Sequence, residues 1–251
     1  MSAKLHYNSI SDGICYSQML EKREAHNQVK KQCIGDALFF SGTCLSKLVR
    51  VLDVACGRGG DLPKLQDLTV EYHGIDVADK ALNTAQNRFK EMNIAGSFHA
   101  YNGDPTQLDL SEVRDCDICL LNFALHYFTD SHERCDKLFE TISASLRKGG
   151  LLCGICPDAA RIRCSPFASC LRWPTFGEVE ANPWGHAYFY SMPPFVNAQE
   201  YLVPMDEVIN VAYKHGLYLV KKRGIQEYAY SKGINGHFAD NAMNVFMFLK
   251  V

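Results

Sequence analysis

Three aspartates stand at or just past the ends of apolar, strand-like runs: Asp53 in VLDVACGRGGD, Asp76 in HGIDVA and Asp104 in AYNGDP. A glycine-rich turn, Gly57-Arg58-Gly59-Gly60, follows the first, and Asp61 closes it. Glycines let a backbone turn sharply and let a ligand approach closely. Open α/β sheets take their ligands at the carboxyl ends of the strands. Three carboxylates along that edge therefore read as a binding constellation. The glycine spacing alone would also fit a dinucleotide. A pyrophosphate seated at the turn, however, would be repelled by Asp53. A cationic ligand would be attracted. S-adenosylmethionine (AdoMet) has an ammonium group and a sulfonium, and the spacing offers Asp76 to its ribose hydroxyls and Asp104 to its adenine side. The plainer alternative makes the three carboxylates loop and cap residues.

These residues need a scaffold of strands and helices in alternation. The sequence predicts strands at Val49–Ala55, Glu71–Val77, Gly96–Asn102, Cys116–Asn122 and Leu151–Pro157. It predicts helices opening at Gly60–Gln66 and running over Lys80–Asn93, Ser131–Leu146 and Val208–His215. Such βαβ alternation implies a parallel, doubly wound α/β sheet with right-handed crossovers. Two last strand candidates, Leu217–Tyr228 and Asn244–Val251, have no helix expected between them. The expectation is a mostly parallel, seven-stranded, Rossmann-like methyltransferase sheet that ends in an antiparallel pair. Residues 1–45 read as a largely helical N-terminal segment. Asp158–Pro204 breaks the rhythm, with six prolines and both tryptophans, and reads as a lid or insert. A surface extension covering one sheet edge is the bland alternative.

A chain of 251 residues, 47% apolar and 22% charged, fits one globular domain over 1–251. The formal net charge of −2 argues against a long nucleic-acid groove, so any such contact should be local. The N-terminus lacks the apolar core of a signal peptide, and no apolar run is long enough to span a membrane. The eleven cysteines then indicate a reducing, intracellular setting. Cys116/Cys119 and Cys153/Cys156 have CxxC spacing but fall in strands, where positions i and i+3 face opposite ways. Buried thiols are expected there rather than a metal site, and no metal is expected elsewhere.

The chain resembles the mRNA cap guanine-N7 methyltransferases. The resemblance rests on VLDVACGRGGDLPKL, with Gly-Gly-Asp-Leu after the first turn, and on Asn122-Phe123-Ala124-Leu125-His126-Tyr127-Phe128. It extends to His6-Tyr7-Asn8, His26-Asn27-Gln28-Val29-Lys30, HGIDVADKAL and Asn197-Ala198-Gln199-Glu200-Tyr201-Leu202-Val203, in the family's order. It implies that Lys30 meets the AdoMet carboxylate and that Ala55, Gly57 and Asp61 surround the methionine moiety. Asp76 would hold the ribose and Asp104 the adenine side, with Asn122 and Tyr127 also at the cofactor. His26, Asn27, Phe123, His126, Tyr127 and Glu200 would contact the cap guanine, and Arg58 and Arg88 its phosphates. Glu200, His126 and Tyr127 would act by positioning and electrostatics, with no general base. The 5′ cap of mRNA is then the partner, with other capping enzymes beside it, in an intracellular setting for which the nucleus is favoured and the cytoplasm is the alternative. The sequence departs from the family where Ala55 replaces a glycine, His26 an asparagine, Asn122 a glutamine and Met243 a tyrosine, and the insert before Glu200 is short.

Several positions keep a second reading. Phe123 and Tyr127 could be core aromatics, and His126 a satisfied buried histidine. Glu200 could pair with Arg161 or Arg163, and Arg88 could lie on a solvated helix face. Lys30 and Lys31 are adjacent, and the apolar register of Val29, Cys33 and Ile34 turns Lys30 inward. At the level of function, a methyltransferase for another acceptor and a non-catalytic cap-binding subunit both keep parts of this pattern.

Overall fold

The computed structural model describes residues 17–163, 182–192, 196–235 and 242–251. The main sheet contains β1 (Val49–Val54), β2 (Thr69–Asp76), β3 (Ala95–Asn102), β4 (Cys116–Asn122), β5 (Leu146–Pro157), β8 (Leu217–Gly224) and β9 (Met243–Lys250). Their spatial order is β3-β2-β1-β4-β5-β9-β8. The first five pair in parallel, and β9 runs antiparallel to both β5 and β8. The order reverses between β1 and β4. Because β1 and β4 are neighbours, the glycine turn after one lies beside the Asn122–Tyr127 turn after the other.

Helices cover both faces, and each shows why its residues chose a helix. In α1 (Ser17–Phe40), Ala25, Val29, Cys33, Ile34, Ala37 and Leu38 are buried at three- and four-residue spacing. The face they form packs on β4 and β5. Helix α2 (Asp79–Glu91) buries Ala81, Leu82, Ala85 and Phe89. Ser131 caps α3 (His132–Ser145) by accepting from the Arg134 amide at 3.2 Å, and Cys135, Leu138, Phe139 and Ile142 face the sheet. Helix α5 (Met205–Lys214) buries Met205, Val208, Val211 and Ala212 on the same side of the sheet as α3.

Three expectations need correction. No helix opens at Gly60: Leu62–Lys64 makes only a single 3-10 turn. The strand predicted to run to Tyr228 stops at Gly224. Helix α6 (Ile225–Ser231) follows it, burying Ile225, Tyr228 and Ala229 in a helical register, so a helix does separate the last two strands. The insert opens with the short helix α4 (Ala159–Arg163) and later forms a two-stranded antiparallel hairpin, β6 (Ala187–Met192) and β7 (Val196–Tyr201). The parts of the insert at 164–181 and 193–195, and the stretch His6-Tyr7-Asn8, lie outside the described residues.

All four CxxC thiols are buried. Cys153 and Cys156 fall in different halves of the core, as alternation requires. Cys116 and Cys119 share one half, because a register shift after Cys116 adds a residue to the alternation. Burial pushes the Cys116 thiol up to about 12 and Cys119 upward as well. Among the described residues, no group of three or more His, Cys, Asp or Glu is placed to hold a metal ion, and no helix is long and apolar enough to cross a membrane.

Candidate functional site

The turn after β1 carries Ala55, Gly57 and Gly59 in the left-handed region, at φ 59°, 53° and 69°. A Cβ on Gly59 would strike Leu62 at 2.5 Å, so this glycine serves close packing of the turn. A Cβ on Gly57 would meet nothing within 4 Å, so the surface above it is open to a ligand. Asp76 fixes the turn from β2. One carboxylate oxygen accepts from the Gly57 amide and the other from the Ala78 amide, both at 2.8 Å. Burial nevertheless raises the Asp76 carboxyl above its ordinary value. Each oxygen keeps a lone pair for a further donor.

Asp61 collects charge at the end of the turn. It is buried, and its Oδ1 lies 2.6 Å from the Lys30 Nζ of α1 and 3.0 Å from the Lys64 Nζ. Its Oδ2 accepts from Asn122 Nδ2 at 2.9 Å. Burial pushes the Asp61 carboxyl up, but Lys30 and Lys64 together hold it below the ordinary value. Lys64 also donates to Asn27 Oδ1 at 3.2 Å and to the Gly60 carbonyl at 2.6 Å. Lys30 faces the site while Lys31 is exposed, as the apolar register implies.

Asp53 does not line the open side of the turn. It is 2% exposed and accepts the Tyr72 hydroxyl. Burial, then the neighbouring Asp61, pushes its carboxyl well above the carboxylate range. The expected counter-charge to a cationic ligand is thus a buried strand residue. Alternation along β1 turns Asp53 toward Tyr72 and away from solvent. Asp104 sits where expected, past the end of β3, but is already engaged. Its Oδ1 accepts from the Thr106 amide at 2.9 Å and hydroxyl at 2.7 Å, and Arg134 reaches its Oδ2 at 2.7 Å.

The second wall comes from β4 and the insert. Phe123 is held at φ 56°, and its backbone N–H donates a hydrogen bond of 2.7 Å to the Ile155 carbonyl. A bulky residue in that region costs about 1–3 kcal/mol and persists where surrounding structure fixes it. Its ring lies 5.6 Å from the His26 ring and 5.8 Å from Lys30 Nζ. The next turn presents His126 and Tyr127, with ring centroids 4.1 Å apart. Glu200 of β7 is 6% exposed. Its Oε1 lies 3.5 Å from His126 Nε2, and Tyr188 donates to its Oε2 at 2.5 Å. His126 is 4% exposed, and burial lowers its pKa, so the ring is neutral near pH 7. Among the described residues, neither ring nitrogen has a hydrogen-bond partner. The Arg161 guanidinium lies against Gly224. The Arg163 side chain is outside the described residues.

Arg58 and Arg88 are half-buried, on the turn and on α2, and Arg88 is close enough to Lys64 to help lower its pKa. Met243 begins β9 opposite Pro157. Sequence reasoning missed Lys64, Tyr72, Arg134 and Tyr188. Lys64 had a signal, since it lies one turn beyond Asp61. The others reach their partners only through strand pairing or helix packing.

The chain matches the model of the mRNA (guanine-N(7))-methyltransferase domain over residues 3–244. It belongs to that family. A relative from Cryptococcus neoformans, an mRNA cap guanine-N(7) methyltransferase, is 28% identical over 245 residues, covering 88% of this chain and 34% of the relative. The Oryza sativa mRNA cap guanine-N(7) methyltransferase 1 is 30% identical, covering 76% of this chain and 58% of its own length. The Schizosaccharomyces pombe enzyme of the same name is 27% identical, with shares of 86% and 66%. The chain thus spans 34% to 66% of the length of these curated relatives. Among solved structures, an S-adenosylmethionine-dependent methyltransferase from Clostridium acetobutylicum superposes with a TM-score of 0.65 at 14% identity, covering 92% of this chain and 95% of its own. Magnesium protoporphyrin IX methyltransferase from Synechocystis, with bound SAH, gives 0.63 at 13% identity, covering 99% and 97%. At such identities these two establish the fold alone.

AdoMet can be tested against the residues present. Two cations, Lys30 and Lys64, share the single carboxylate of Asp61, which leaves positive charge for a ligand carboxylate. Asn122 Oδ1 is buried without a hydrogen bond and is an acceptor, since its Nδ2 is committed to Asp61. An ammonium group would satisfy it. The same corner thus suits both charges of an amino acid, while Asp76 stands ready for paired hydroxyls. The residues fit the group.

Proposed function

We propose that this chain transfers the methyl group of AdoMet to N7 of the guanine cap at the 5′ end of mRNA. The reading rests most on one observation beyond family membership. A buried carboxylate, Glu200, stands beside a buried, neutral and unsatisfied His126, with Phe123 and Tyr127 as flanking rings. Lys30, Asp61 and Asn122 would hold the methionine end of AdoMet, Asp76 the ribose and Asp104 the adenine side, with Ala55, Gly57 and Tyr127 along its length. When bound, AdoMet supplies the electrophilic methyl group.

Guanine N7 offers an in-plane lone pair with no proton to remove. The site needs no general base and no metal-activated nucleophile. What it must supply is alignment. Glu200 would accept from the N1–H and 2-amino group of guanine. Those donors strengthen as the ring gains positive charge, so Glu200 would favour the transition state over the substrate. Neutral His126 has one N–H to give to the guanine carbonyl. Phe123 and Tyr127 would stack on the base and gain further once it is cationic. His26 and Asn27 would complete the cap contacts, and Arg58 and Arg88 would meet the phosphates with charge-assisted hydrogen bonds. Other capping enzymes are the partners this role implies, in an intracellular and most simply a nuclear setting.

The test is transfer of labelled methyl from AdoMet to GpppA, GTP and ATP by the purified chain. Transfer to the two guanine acceptors and not to ATP is expected. Transfer to none, with AdoMet bound, would move the chain to another acceptor or to a non-catalytic role.

A further inference from the structure

Tyr188 lies on β6 directly across from Glu200 on β7. Its side chain is 3% exposed, and its hydroxyl donates to Glu200 Oε2 at 2.5 Å. Burial, and then the charge of Glu200, raise the Tyr188 hydroxyl well above its ordinary pKa, so it remains a donor. Tyr188 was not among the residues that the sequence marked for function.

We infer that Tyr188 is the positioning residue that sets guanine selectivity, by fixing the plane of the Glu200 carboxylate. The inference rests on the proposed guanine-edge role of Glu200. A carboxylate has about four lone-pair sites. Tyr188 occupies one on Oε2, and His126 bounds Oε1 at 3.5 Å. The two oxygens are thereby held in one orientation, so that the remaining lone pairs can face two parallel donors. Guanine presents two such donors, N1–H and the 2-amino group. Hypoxanthine presents only N1–H. A fixed carboxylate distinguishes them, because hypoxanthine leaves one buried acceptor unsatisfied. A carboxylate free to rotate can turn its second oxygen elsewhere and lose the distinction.

The test compares Tyr188→Phe with the unsubstituted chain on GpppA and on its inosine analogue, IpppA. The substitution keeps the buried ring and removes the hydroxyl that donates to Glu200. The unsubstituted chain should prefer GpppA by about 10- to 100-fold in kcat/KM, the worth of one hydrogen bond to a charged group. In Tyr188→Phe that ratio should fall at least several-fold, while the AdoMet Kd stays within about twofold. In a Glu200→Gln background the same tyrosine substitution should change the ratio no further, because Tyr188 acts through Glu200. A ratio that survives Tyr188→Phe, whatever happens to overall rate, overturns the inference and leaves Tyr188 a structural residue. If the unsubstituted chain binds AdoMet but methylates neither cap, the guanine reading itself fails, and the inference with it. If Tyr188→Phe does not fold, Tyr188→Trp and the Glu200→Gln ratio decide. A retained guanine preference in either variant overturns the inference.

Discussion

Replacing Asp61 by asparagine is the sharpest perturbation of the cofactor corner. The change keeps the side-chain shape and removes one negative charge. That charge is the counter-ion of Lys30 at 2.6 Å and of Lys64 at 3.0 Å, and both ammonium groups are largely buried, at 12% and 6% side-chain exposure. Breaking a buried pair from one side strands the partner charge and costs about 3–5 kcal/mol. At roughly 2–4 °C per kcal/mol for a domain of this size, the melting temperature should fall by about 6–20 °C. A second substitution locates the cause. Lys64→Met added to Asp61→Asn removes one stranded cation and should recover part of the loss. The pH dependence has a definite sign. The folded-state pKa of Asp61 lies below its ordinary 3.8, so its stabilisation is present above that value and lost as the pH falls through the depressed pKa. Asp61→Asn should be flatter than the parent in that acid range. The assay is thermal unfolding followed by circular dichroism from pH 3 to 8. A melting temperature within about 2 °C of the parent at pH 7 would refute the picture of Asp61 as a buried counter-ion.

Ala55→Gly should raise stability by up to about 1 kcal/mol in denaturant titration. An L-residue at φ 59° costs roughly 1–2 kcal/mol, part of which the looser unfolded chain takes back; a loss of stability would show that the alanine methyl packs usefully. Glu200→Ala should leave AdoMet affinity intact and lower turnover on a capped acceptor by about one to two powers of ten, from the ~1.5–3 kcal/mol of a charge-assisted hydrogen bond. Unchanged turnover would remove Glu200 from the guanine edge. His126 is held neutral, with its folded pKa below 6.5, so its stabilisation is present above pH 6.5 and declines as the pH falls toward the folded value. His126→Gln should remove that component of the acid decline in melting temperature, and an unaltered profile would assign it to other groups.

The fold was legible because its central strands are apolar and its helices periodic. Leu138, Phe139 and Ile142 mark the face of α3, and Val49–Val54 is apolar wherever Asp53 and Arg50 are not. What misled was local ambiguity. Ile225, Tyr228 and Ala229 fit a helix, but Leu217–Gly224 before them alternates as a strand, and the boundary rests on a single glycine. The turn at Gly60 looks like a helix start but closes after the single 3-10 turn Leu62–Lys64. Within the site, the placement of the glycine turn, Lys30, Asp61 and Asp76 was readable, because it follows from local chain geometry. Asp53 was not, since its orientation depends on Tyr72 of the neighbouring strand. The Tyr188–Glu200 pair was hidden for the same reason. Twelve residues separate the two, and only the hairpin register brings them together.

The central claim is attack by guanine N7 and by no other atom. It is tested most directly by offering the purified chain labelled AdoMet with GpppA and with the 7-deaza analogue, which carries a C–H in place of the N7 lone pair. Label is expected in GpppA, with the product bearing the fixed positive charge of an N7-methylated guanine, and none in the analogue. Label in the 7-deaza cap would place the reaction at a ribose hydroxyl or another atom and contradict the account.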